Sequence, residues 1–587
     1  MQVAAAEILE RVRAAERRGD YLGAFDIARR GLDRFPGDLA LAHRAILALA
    51  RSGATSGARA MLTAVGVRSD ELAALDARLC KDEALAARGP DRARLARAAA
   101  GRYAALFERT GSAYPAVNAA TLHLLAGDHA RATELAEQAL AIALAARTGT
   151  DVLDDYWQSA TAAEAALVLG RLELVSAKLD EARRSNRTDH AALATTRKQL
   201  ALVCAARELD PRLADVLQPP AVIHYTGHMI GERFGADSEH RIATRIAAVL
   251  DELDAGYGFG ALACGADIVF AEALRARGAE HHVVLPFEVD QFIRTSVARA
   301  GEGWVDRFHA CLAAASSITF GTLDASTTDT DALFAYGGQL AMGLALVRAG
   351  FLGARAIQVA VWDGKPARSV AGTAADIATW RRRGLEVEVV PVDDDVAPSM
   401  QHSGEIALPP PSPMSVKAIL FGDVKGYSKL RERDVPAFVE TVLGAFGKVL
   451  DGCEVDVRNT WGDGLYLVLP SAGAAARCAS ALQAAMRGLE LDALGTGMGL
   501  RLAGHVGPVF ECFDAVTRQR SFFGTHVTRT ARMEPVTPEG EVFVTEPFAA
   551  ALALGGDDFV CEYVGDIPAA KGFGSLRMCV LKPKANA

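Results

Sequence analysis

Residues 421–428 read Phe-Gly-Asp-Val-Lys-Gly-Tyr-Ser and join the end of an apolar run to a glycine-containing turn. The run at Val416–Phe421 predicts a β-strand, which places Asp423 just past the strand's end. The turn from Val424 to Ser428 is predicted to lead into a helix whose free amide groups can receive phosphate. This stretch therefore predicts an αβ domain with a carboxylate beside an anion-binding turn.

A second aspartate, Asp463, lies between two apolar runs and is flanked by glycines on both sides. Cys453–Val457 and Thr460–Leu469 are predicted to form a hairpin around Arg458-Asn459. Two aspartates at neighbouring strand ends suit a pair of hard divalent cations, because Mg²⁺ prefers a few carboxylates plus substrate phosphate oxygens. Either aspartate alone is more often a cap or a turn former.

The residues around these aspartates form a self-contained domain, predicted to span 415–585. Helices are expected at Pro436–Val449 and Ala474–Gly488, and a strand at Gly499–Val506. A proline-rich linker, 397–414, precedes the domain and is expected to act as a semi-rigid spacer.

Six motifs follow one another in this domain. They are Phe421–Leu430, Gly462-Asp463-Gly464, Leu502–Val509, Phe522–Glu534, Gly540–Thr545 and Lys571-Gly572-Phe573-Gly574. Together they resemble the catalytic domain of the class III nucleotidyl cyclases, the adenylate/guanylate cyclase family, over about the last third of the chain. The resemblance implies an α+β, ferredoxin-like fold.

The resemblance also implies a reaction and a metal site. In this family the ribose 3′-hydroxyl of a nucleoside triphosphate attacks the α-phosphorus, and pyrophosphate leaves. Asp423 and Asp463 match the metal-binding aspartates, and Val424 can add a main-chain carbonyl. The expected cofactors are two Mg²⁺ or Mn²⁺ ions per active site.

Other matched positions imply contacts with the nucleotide. Arg532 matches the arginine that stabilises charge on the phosphoryl group, and Lys571 lies where the family often has a lysine for the β- and γ-phosphates. Gly426, Tyr427 and Ser428 form the turn expected to bind phosphate. Because the family builds each site between two catalytic domains, a homodimer through this domain is expected to be obligatory for activity.

Three positions depart from the family pattern. Asn459 and Ser521 occupy the positions that read the base, and they match neither the adenylate nor the guanylate pair. Thr528 stands where the family usually has an asparagine that orients the ribose, and a lost hydrogen bond there costs roughly 1–3 kcal/mol. The base is therefore undetermined. The alternatives are a pyrimidine cyclase of anti-phage signalling and a degenerate domain that binds nucleotide without turnover.

Residues 1–217 are predicted to form an α-helical, tetratricopeptide-like solenoid. Apolar residues recur with a helical period, and Gly19-Asp20 and Gly127-Asp128 separate helical halves that carry alanines at close-packing positions. The stretch Gly19–Asp38 resembles a tetratricopeptide repeat, and looser units follow at Asn118–Ile142 and Trp157–Ala182. Such a surface is expected either to bind a protein partner or to serve only in packing.

Residues 218–396 are predicted to form a doubly wound α/β domain. Its strands are expected at Ala221–Tyr225, His281–Phe287, Ser317–Phe320, Ala356–Trp362 and Glu386–Val390. The glycines of 256–260 are expected in a loop at a strand end. With Ala263–Asp267 and Leu285–Phe287, this region resembles the Rossmannoid nucleotide-sensing domains of the SLOG and TIR-like kind, although the glycines also suit plain turns. Glu288, a candidate hydrolase acid, is equally explained as a loop carboxylate.

Composition limits the class of protein. The chain has 587 residues, a net charge of −9 and 50% hydrophobic residues, which suits several buried cores and argues against a nucleic-acid partner. Arg348 and Arg355 interrupt the most apolar stretch, so no membrane span is expected. The charged N-terminal residues Glu7, Glu10 and Arg11 predict that no secretory signal is present. Nine cysteines without a CxxC pair indicate a reducing compartment. The expectation is a cytoplasmic signalling enzyme, bacterial in type, regulated by its N-terminal domains.

Overall fold

The computed structural model describes residues 2–146, 152–231, 233–323, 330–367, 369–392, 414–491, 497–556 and 558–584. The chain divides into two compact units. The first comprises residues 1–219 with the short segments 350–354 and 562–565, and the second comprises residues 220–349, 355–561 and 566–587. The predicted linker, 397–414, lies outside the described residues apart from Met414.

Helices make up the first unit. They are α1 (Gln2–Arg17), α2 (Tyr21–Arg34), α3 (Leu39–Ser52), α4 (Thr55–Val65), α5 (Asp70–Ala86), α6 (Gly89–Thr110), α7 (Ala113–Leu125), α8 (His129–Ala145), α9 (Val152–Leu169), α10 (Leu172–Ser185) and α11 (His190–Ala206). From α1 to α10 each helix packs on the next, and α11 packs on α9 and α7. A 3₁₀ segment, Pro211–Leu217, ends this part of the chain.

The Gly-Asp pairs act as the sequence predicts. Gly19 and Gly127 have positive φ values of 74° and 80°, which glycine adopts without strain. Asp20 and Asp128 then cap α2 and α8 by accepting main-chain N–H groups at 3.0 and 3.4 Å. The predicted close-packing alanines, Ala24 and Ala28 of α2 and Ala132 and Ala136 of α8, are buried, so neighbouring helices approach closely.

The second unit begins with a six-stranded, wholly parallel sheet. Its strands are β1 (Ala221–Gly227), β2 (Ala255–Gly260), β3 (Glu280–Leu285), β4 (Ser317–Phe320), β5 (Ala356–Trp362) and β6 (Val387–Pro391). The strand order is β4-β3-β2-β1-β5-β6. The order reverses beside β1, so the carboxyl end of β1 lies at a topological switch point.

The connecting helices of this sheet follow the predicted βα alternation. They are α12 (Glu239–Glu252), α13 (Ala266–Ala276), α14 (Val289–Phe292), α15 (Glu302–Ala313), α16 (Thr330–Leu352) and α17 (Thr373–Arg382). Glu288 caps α14, accepting the N–H groups of Asp290 and Gln291 at 3.0 and 2.9 Å, as a loop carboxylate would. One helix, α16, is long and apolar enough to cross a membrane, but half of its most apolar window is buried in the protein.

The prediction that residues 256–260 form a loop is wrong, because they are the buried strand β2. A Cβ at Gly258 would lie 2.2 Å from the Leu274 side chain, and one at Gly260 would lie 2.4 Å from the Tyr225 ring. The glycines are therefore needed for close packing of this strand against α13 and β1.

A second sheet occupies the C-terminal region. Its strands are β7 (Met414–Lys425), β8 (Val457–Trp461), β9 (Gly464–Leu469), β10 (Gly499–Asp514), β11 (Gln519–Phe523), β12 (Val542–Thr545), β13 (Phe559–Pro568) and β14 (Ser575–Pro583). The order is β13-β14-β12-β10-β7-β9-β8, and β11 pairs with β10. Only β10 and β12 pair in parallel among the pairings described.

The helices of this region are α18 (Val435–Phe438), α19 (Gly444–Asp451), α20 (Ala472–Arg487), α21 (Thr525–Met533) and α22 (Glu546–Gly555). A π-helical turn, Val439–Leu443, joins α18 to α19, so the helix predicted at 436–449 is confirmed. The helix predicted at 474–488 is also confirmed, as α20.

Helix α16 packs on the C-terminal sheet within the same unit. The Tyr336 hydroxyl donates to the Val506 carbonyl oxygen at 3.0 Å, and its ring meets the His526 ring edge-on at 5.9 Å. Farther along the helix, a Cβ at Gly343 would lie 2.3 Å from the carbonyl oxygen of Ala550 on α22. The middle and C-terminal regions therefore share a close-packed contact.

Candidate functional site

The two predicted metal-binding aspartates come together at one end of neighbouring strands of the C-terminal sheet. Asp423 lies near the end of β7, and Asp463 lies in the tight turn between β8 and β9, where Gly462 has a φ of 69°. Since β9 pairs with β7, the turn lies beside Asp423. The two carboxyl groups are within hydrogen-bonding reach of each other.

Crowding of negative charge marks this pair. Partial burial, together with the charge of Asp423, raises the pKa of Asp463 to about 6. Both side chains retain some exposure to solvent. A pair of carboxyl groups held this close is stabilised either by a shared proton or by a cation.

Two residues that the sequence analysis missed complete the cluster. Arg501 lies opposite Asp423 in the β10–β7 register, and its Nη2 donates to Asp423 Oδ2 at 2.7 Å. Its Nε forms an ion pair with Glu534. Burial raises the pKa of Glu534, and the charges of Asp423 and Asp463 act in the same direction. A lone arginine inside the apolar strand 499–506 was the available signal.

Three residues near the end of β7 and in the β8–β9 turn offer oxygen ligands to a metal ion. Asp423 and Asp463 supply carboxylate oxygens, and Val424, whose side chain is buried, has only its main-chain carbonyl to offer. Within the described residues, no group of three or more His, Cys, Asp or Glu side chains could hold a metal ion. Two carboxylates leave several positions for substrate phosphate and water, the arrangement typical of Mg²⁺ sites.

The turn after Asp423 differs from the prediction. Gly426 has a φ of 99°, and a Cβ there would lie 3.2 Å from the Gly497 carbonyl oxygen. Residues Tyr427–Lys429 form a single 3₁₀ turn, and α18 begins only at Val435. The prediction that the turn leads directly into a helix is therefore wrong, because a second 3₁₀ segment intervenes. Tyr427 instead packs on Phe438, with ring centroids 4.9 Å apart.

The two candidate base-reading residues occupy strands rather than a loop. Asn459 lies within β8, so the hairpin predicted around Arg458-Asn459 turns instead at Gly462-Asp463. The exposed Asn459 uses its Oδ1 to accept the Thr460 N–H at 2.8 Å. Ser521 lies in β11 beside Phe522, whose carbonyl oxygen accepts the Tyr466 hydroxyl at 2.7 Å. Burial raises the pKa of that tyrosine to about 12, so it remains a neutral donor.

Thr528 and Arg532 lie four residues apart on α21 and therefore share one face of the helix. His526, Thr530 and Met533 are buried on the opposite side, whereas Thr528 is exposed and Arg532 is partly so. Lys571 is exposed in a short 3₁₀ segment that contacts α21, and it has a left-handed φ of 58°.

These three residues do not join the aspartates through any hydrogen bond or ion pair in the part of the chain that the structure describes. Asp423 is paired with Arg501 instead. These residues therefore fall into an acidic pair on β7 and the β8–β9 turn and a basic group on and beside α21, and Arg501 links Asp423 to Glu534 at the C-terminal end of α21.

Two family models match parts of the chain. Residues 411–582 match the family described as "Adenylate and Guanylate cyclase catalytic domain". Residues 20–123 match "TPR-S: Tetratricopeptide Repeats-Sensor". The chain therefore carries a class III adenylate/guanylate cyclase catalytic domain at its C-terminus and a TPR-S domain near its N-terminus. No curated protein matches the sequence.

Several solved cyclase structures resemble the C-terminal region. The guanylate cyclase domain of RhGC from Catenaria anguillulae, in complex with GTP, shares 16% identity over 29% of this chain and 97% of its own, with a TM-score of 0.26. The adenylyl cyclase CyaB from P. aeruginosa shares 17% identity over 29% and 95%, also with a TM-score of 0.26. Adenylate cyclases from Trypanosoma brucei, in their monomeric state, share 20% identity over 29% and 91%, with the same TM-score.

Proposed function

We propose that the C-terminal region is a metal-dependent nucleotidyl cyclase, which converts a nucleoside triphosphate to a 3′,5′-cyclic nucleotide and pyrophosphate. The observation that carries the proposal is the pairing of Asp423 and Asp463 at a partly exposed end of the neighbouring strands β7, β8 and β9. Burial, together with the charge of Asp423, raises the pKa of Asp463 to about 6, as expected where a cation belongs between two carboxylates.

The donor set fits Mg²⁺ or Mn²⁺. Asp423, Asp463 and the Val424 carbonyl offer only hard oxygen ligands, which these ions prefer. Two bound ions would lower the pKa of the ribose 3′-hydroxyl and neutralise the triphosphate. Arg501 donates to the Asp423 carboxylate and thereby fixes the orientation of this ligand.

The other residues of this chain act on the nucleotide. The 3′-oxygen forms a bond to the α-phosphorus, the bond to the β-phosphate oxygen breaks, and the hydroxyl proton is released. Arg532 donates to the phosphoryl oxygens, where negative charge develops. Thr528 offers one hydroxyl to orient the ribose, and Lys571 offers an ammonium group to the β- and γ-phosphates. The turn at Gly426, Tyr427 and Ser428 lies next to the aspartates and is proposed to contact phosphate.

We also propose that a homodimer forms each active site. Among the described residues the acidic pair forms no hydrogen bond or ion pair with the basic group of the same chain, and a two-fold dimer would bring the acidic pair of one copy to the basic group of the other. Each dimer would then contain two equivalent sites.

The upstream regions are proposed to regulate this site in the cytoplasm, with the division 1–217, 218–396, 397–414 and 415–585. The fully parallel sheet with its reversal beside β1 supports a doubly wound, Rossmannoid assignment for the middle region. Support for regulation comes from Tyr336, which contacts Val506 on β10 and His526 on α21, the helix that carries Arg532.

One experiment tests the activity directly. Purified full-length chain is incubated with Mn²⁺ or Mg²⁺ and separately with ATP, GTP, CTP and UTP, and the products are identified by mass. The proposal expects one triphosphate to yield its 3′,5′-cyclic nucleotide and pyrophosphate. A cyclic pyrimidine nucleotide would select the anti-phage type of cyclase. Hydrolysis to diphosphate, or no product from any of the four, would contradict the proposal.

A second candidate function is a nucleotide-binding domain without turnover. Its support is that Asn459, one of the two candidate base-reading residues, already uses its Oδ1 to accept the Thr460 N–H. Binding of a triphosphate with a defined stoichiometry, combined with no cyclic product under Mn²⁺, would select this candidate.

A further inference from the structure

A cavity on the helical region lies outside everything assigned above. It has a volume of about 210 Å³ and is lined mainly by alternate helices, namely α3, α5, α7, α9 and α11. A second cavity of about 470 Å³ adjoins it. The two share six lining residues, which are Arg51, Arg78, Tyr114, Trp157, Thr161 and Thr195. Together they reach the size that is typical of small-molecule sites, roughly 300–1,000 Å³.

Positive charge dominates the inner cavity. Arg51, Arg78, Lys81 and Lys198 line it, against two acids, Asp82 and Glu164. Glu164 is only 7% exposed, and burial raises its pKa, which further reduces the negative charge available. A chain with a net charge of −9 therefore concentrates four cationic side chains on the inner cavity, whereas the acids Asp70 and Glu71 line the adjoining one.

The cations are incompletely satisfied by the protein. Arg51 and Arg78 each keep a buried Nε–H with no hydrogen-bond partner among the described residues. Their nearest acids are Glu16, 3.8 Å from Arg51, and Asp82, 3.7 Å from the Arg78 Nε. Because buried donors without a partner are costly, these two groups indicate a place for an acceptor.

A polar network fixes the floor of the cavity. Lys81 Nζ donates to Asn118 Oδ1 at 3.0 Å and to Gln199 Oε1 at 3.2 Å, two uncharged partners. Gln199 in turn donates to Glu164 Oε1 at 2.7 Å. Burial lowers the pKa of Lys81, so the network positions its amino group while an anion bound nearby would favour the charged form.

Aromatic side chains line the same space. Tyr114 and Trp157 belong to both cavities, and Tyr21 lies on the inner one, where the Arg51 guanidinium sits 6.0 Å from its ring centroid. Rings beside cations suit a ligand that combines a flat, aromatic part with a negative charge. An enclosed cavity of this size favours a small molecule over a peptide segment.

We propose that the concave face of the helical region binds a small anion that carries a planar ring, with the anionic group at Arg51, Arg78 and Lys81 and the ring beside Tyr114 and Trp157. The anionic group is a phosphate ester or a carboxylate. This site is independent of the proposed cyclase activity.

The test uses the full-length chain and calorimetric titration. The probes are the four nucleoside 5′-monophosphates, phthalate as an aromatic carboxylate, and inorganic phosphate as an anion without a ring. At least one ring-bearing probe is expected to bind with one site per chain and more tightly than inorganic phosphate. Binding of the monophosphates alone selects a phosphate ester, and binding of phthalate alone selects a carboxylate.

Variants locate the site. Arg78→Met should weaken binding by about tenfold or more, because it removes a charge-assisted donor. The matched control Arg94→Met changes an exposed arginine of the same region, 68% accessible and paired only with its helix neighbour Asp91, and should leave the affinity unchanged. Should Arg78→Met fail to fold, Arg51→Met tests the same expectation.

Two further measurements separate this site from the nucleotide site of the C-terminal region. Binding should persist in Asp423→Asn, which lies outside the cavity. Ligand should also change the fluorescence of the wild-type chain, and Trp157→Phe should remove that change. Failure of every probe to bind, binding that Arg78→Met and Arg51→Met leave intact, or equal affinity for inorganic phosphate would overturn the proposal.

Discussion

Two pairs of aspartates lie in the second unit, and their surroundings differ. Asp423 and Asp463 lie at a partly exposed end of the strands β7, β8 and β9 in the C-terminal sheet, beside Arg501. Asp267 and Asp376 lie near the carboxyl end of β1 in the middle sheet, where burial raises the pKa of each to about 7. Both pairs contain a carboxyl group with a raised pKa, so a perturbed pKa alone does not identify the catalytic pair.

The difference lies mainly in hydrogen bonding, because Asp376 is partly exposed, as Asp423 and Asp463 are. Asp267 is 9% exposed and accepts the Ala263 N–H at 3.2 Å, and Asp376 accepts the Thr226 hydroxyl at 2.9 Å. These neutral donors close off the second pair and suit carboxyl groups that retain a proton. The pair at the C-terminal edge is open enough to exchange its proton for a cation. The first pair therefore suits chemistry, and the second suits structure.

The largest expected effect is on the open pair. Asp423→Asn should lower the cyclase rate by about a thousandfold or more, because metal-ion catalysis supplies several kcal/mol. The amide oxygen can still accept from Arg501, so folding should be retained. Turnover with saturating Mn²⁺ measures the effect.

Two controls make this comparison strict. Asp451→Asn changes an exposed acid of the same region, 68% accessible, and should leave the rate unchanged. Asp376→Asn changes the closed pair and should alter the rate by less than about threefold. Loss of activity in Asp376→Asn equal to that in Asp423→Asn would break the distinction between the pairs.

A second prediction concerns where the basic group acts. Asp463→Asn and Arg532→Ala should each be nearly inactive alone, since one removes a metal ligand and the other a donor worth about 10²–10³ in rate. Co-expressed, they should recover about a quarter of the wild-type activity, because half of the dimers contain one intact site of two.

The measurement is the specific activity of the doubly tagged heterodimer and of the mixture. Co-expression of Asp463→Asn with Asp423→Asn is the matched control and should recover nothing, since both changes affect the same half-site. Recovery in this control, or none in the first pair, would contradict a site shared between two chains.

Much of the open pair could be predicted from the sequence. Asp423 and Asp463 each follow or precede an apolar run beside glycine, and the match of the family at 411–582 agrees with the six motifs. Arg501 and Glu534 could not be predicted in the same way. Their contacts depend on the register that sets Arg501 opposite Asp423, which is a long-range pairing.

In the middle sheet most strands could be predicted from the sequence, but β2 could not. All five strands predicted for this sheet lie within two residues of the observed ends, because each contains β-branched residues in a short apolar run. Strand β2 was missed since three of its six residues are glycine, which favours a loop in any local reading. Its glycines are required because the side chains of Leu274 and Tyr225 leave no room for a Cβ. Such tertiary contacts cannot be predicted from local composition.

A smaller effect is expected at the exposed face of α21. Thr528→Asn should raise kcat roughly tenfold, because the longer amide adds a hydrogen bond that orients the ribose in the transition state. KM should change little if the contact forms mainly in the transition state. Thr525→Asn, at the start of the same helix, is the control. An unchanged or lower kcat in Thr528→Asn would remove the ribose-orienting role from this position.

The smallest expected effect is on stability and concerns the closed pair. Asp376 has a pKa near 7 in the folded protein, above the ordinary value of about 4 in an unfolded chain. Between these values the folded state holds a proton that the unfolded state has lost, so stability falls as pH rises from about 4 to 7. Above pH 7 the loss is complete.

Asp376→Asn removes this titration while keeping an oxygen for the Thr226 hydroxyl. Its thermal midpoint should exceed that of the wild type by a few degrees at pH 8, since a kcal/mol shifts the midpoint of a domain this size by about 2–4 °C. The difference should shrink at pH 5, where the wild-type carboxyl group is protonated in the folded state. Asp306→Asn, on the exposed side of α15, should shift the midpoint equally little at both pH values. A difference between Asp376→Asn and wild type that does not depend on pH would show that the closed pair does not retain a proton, and the distinction between the two pairs would then rest on solvent access alone.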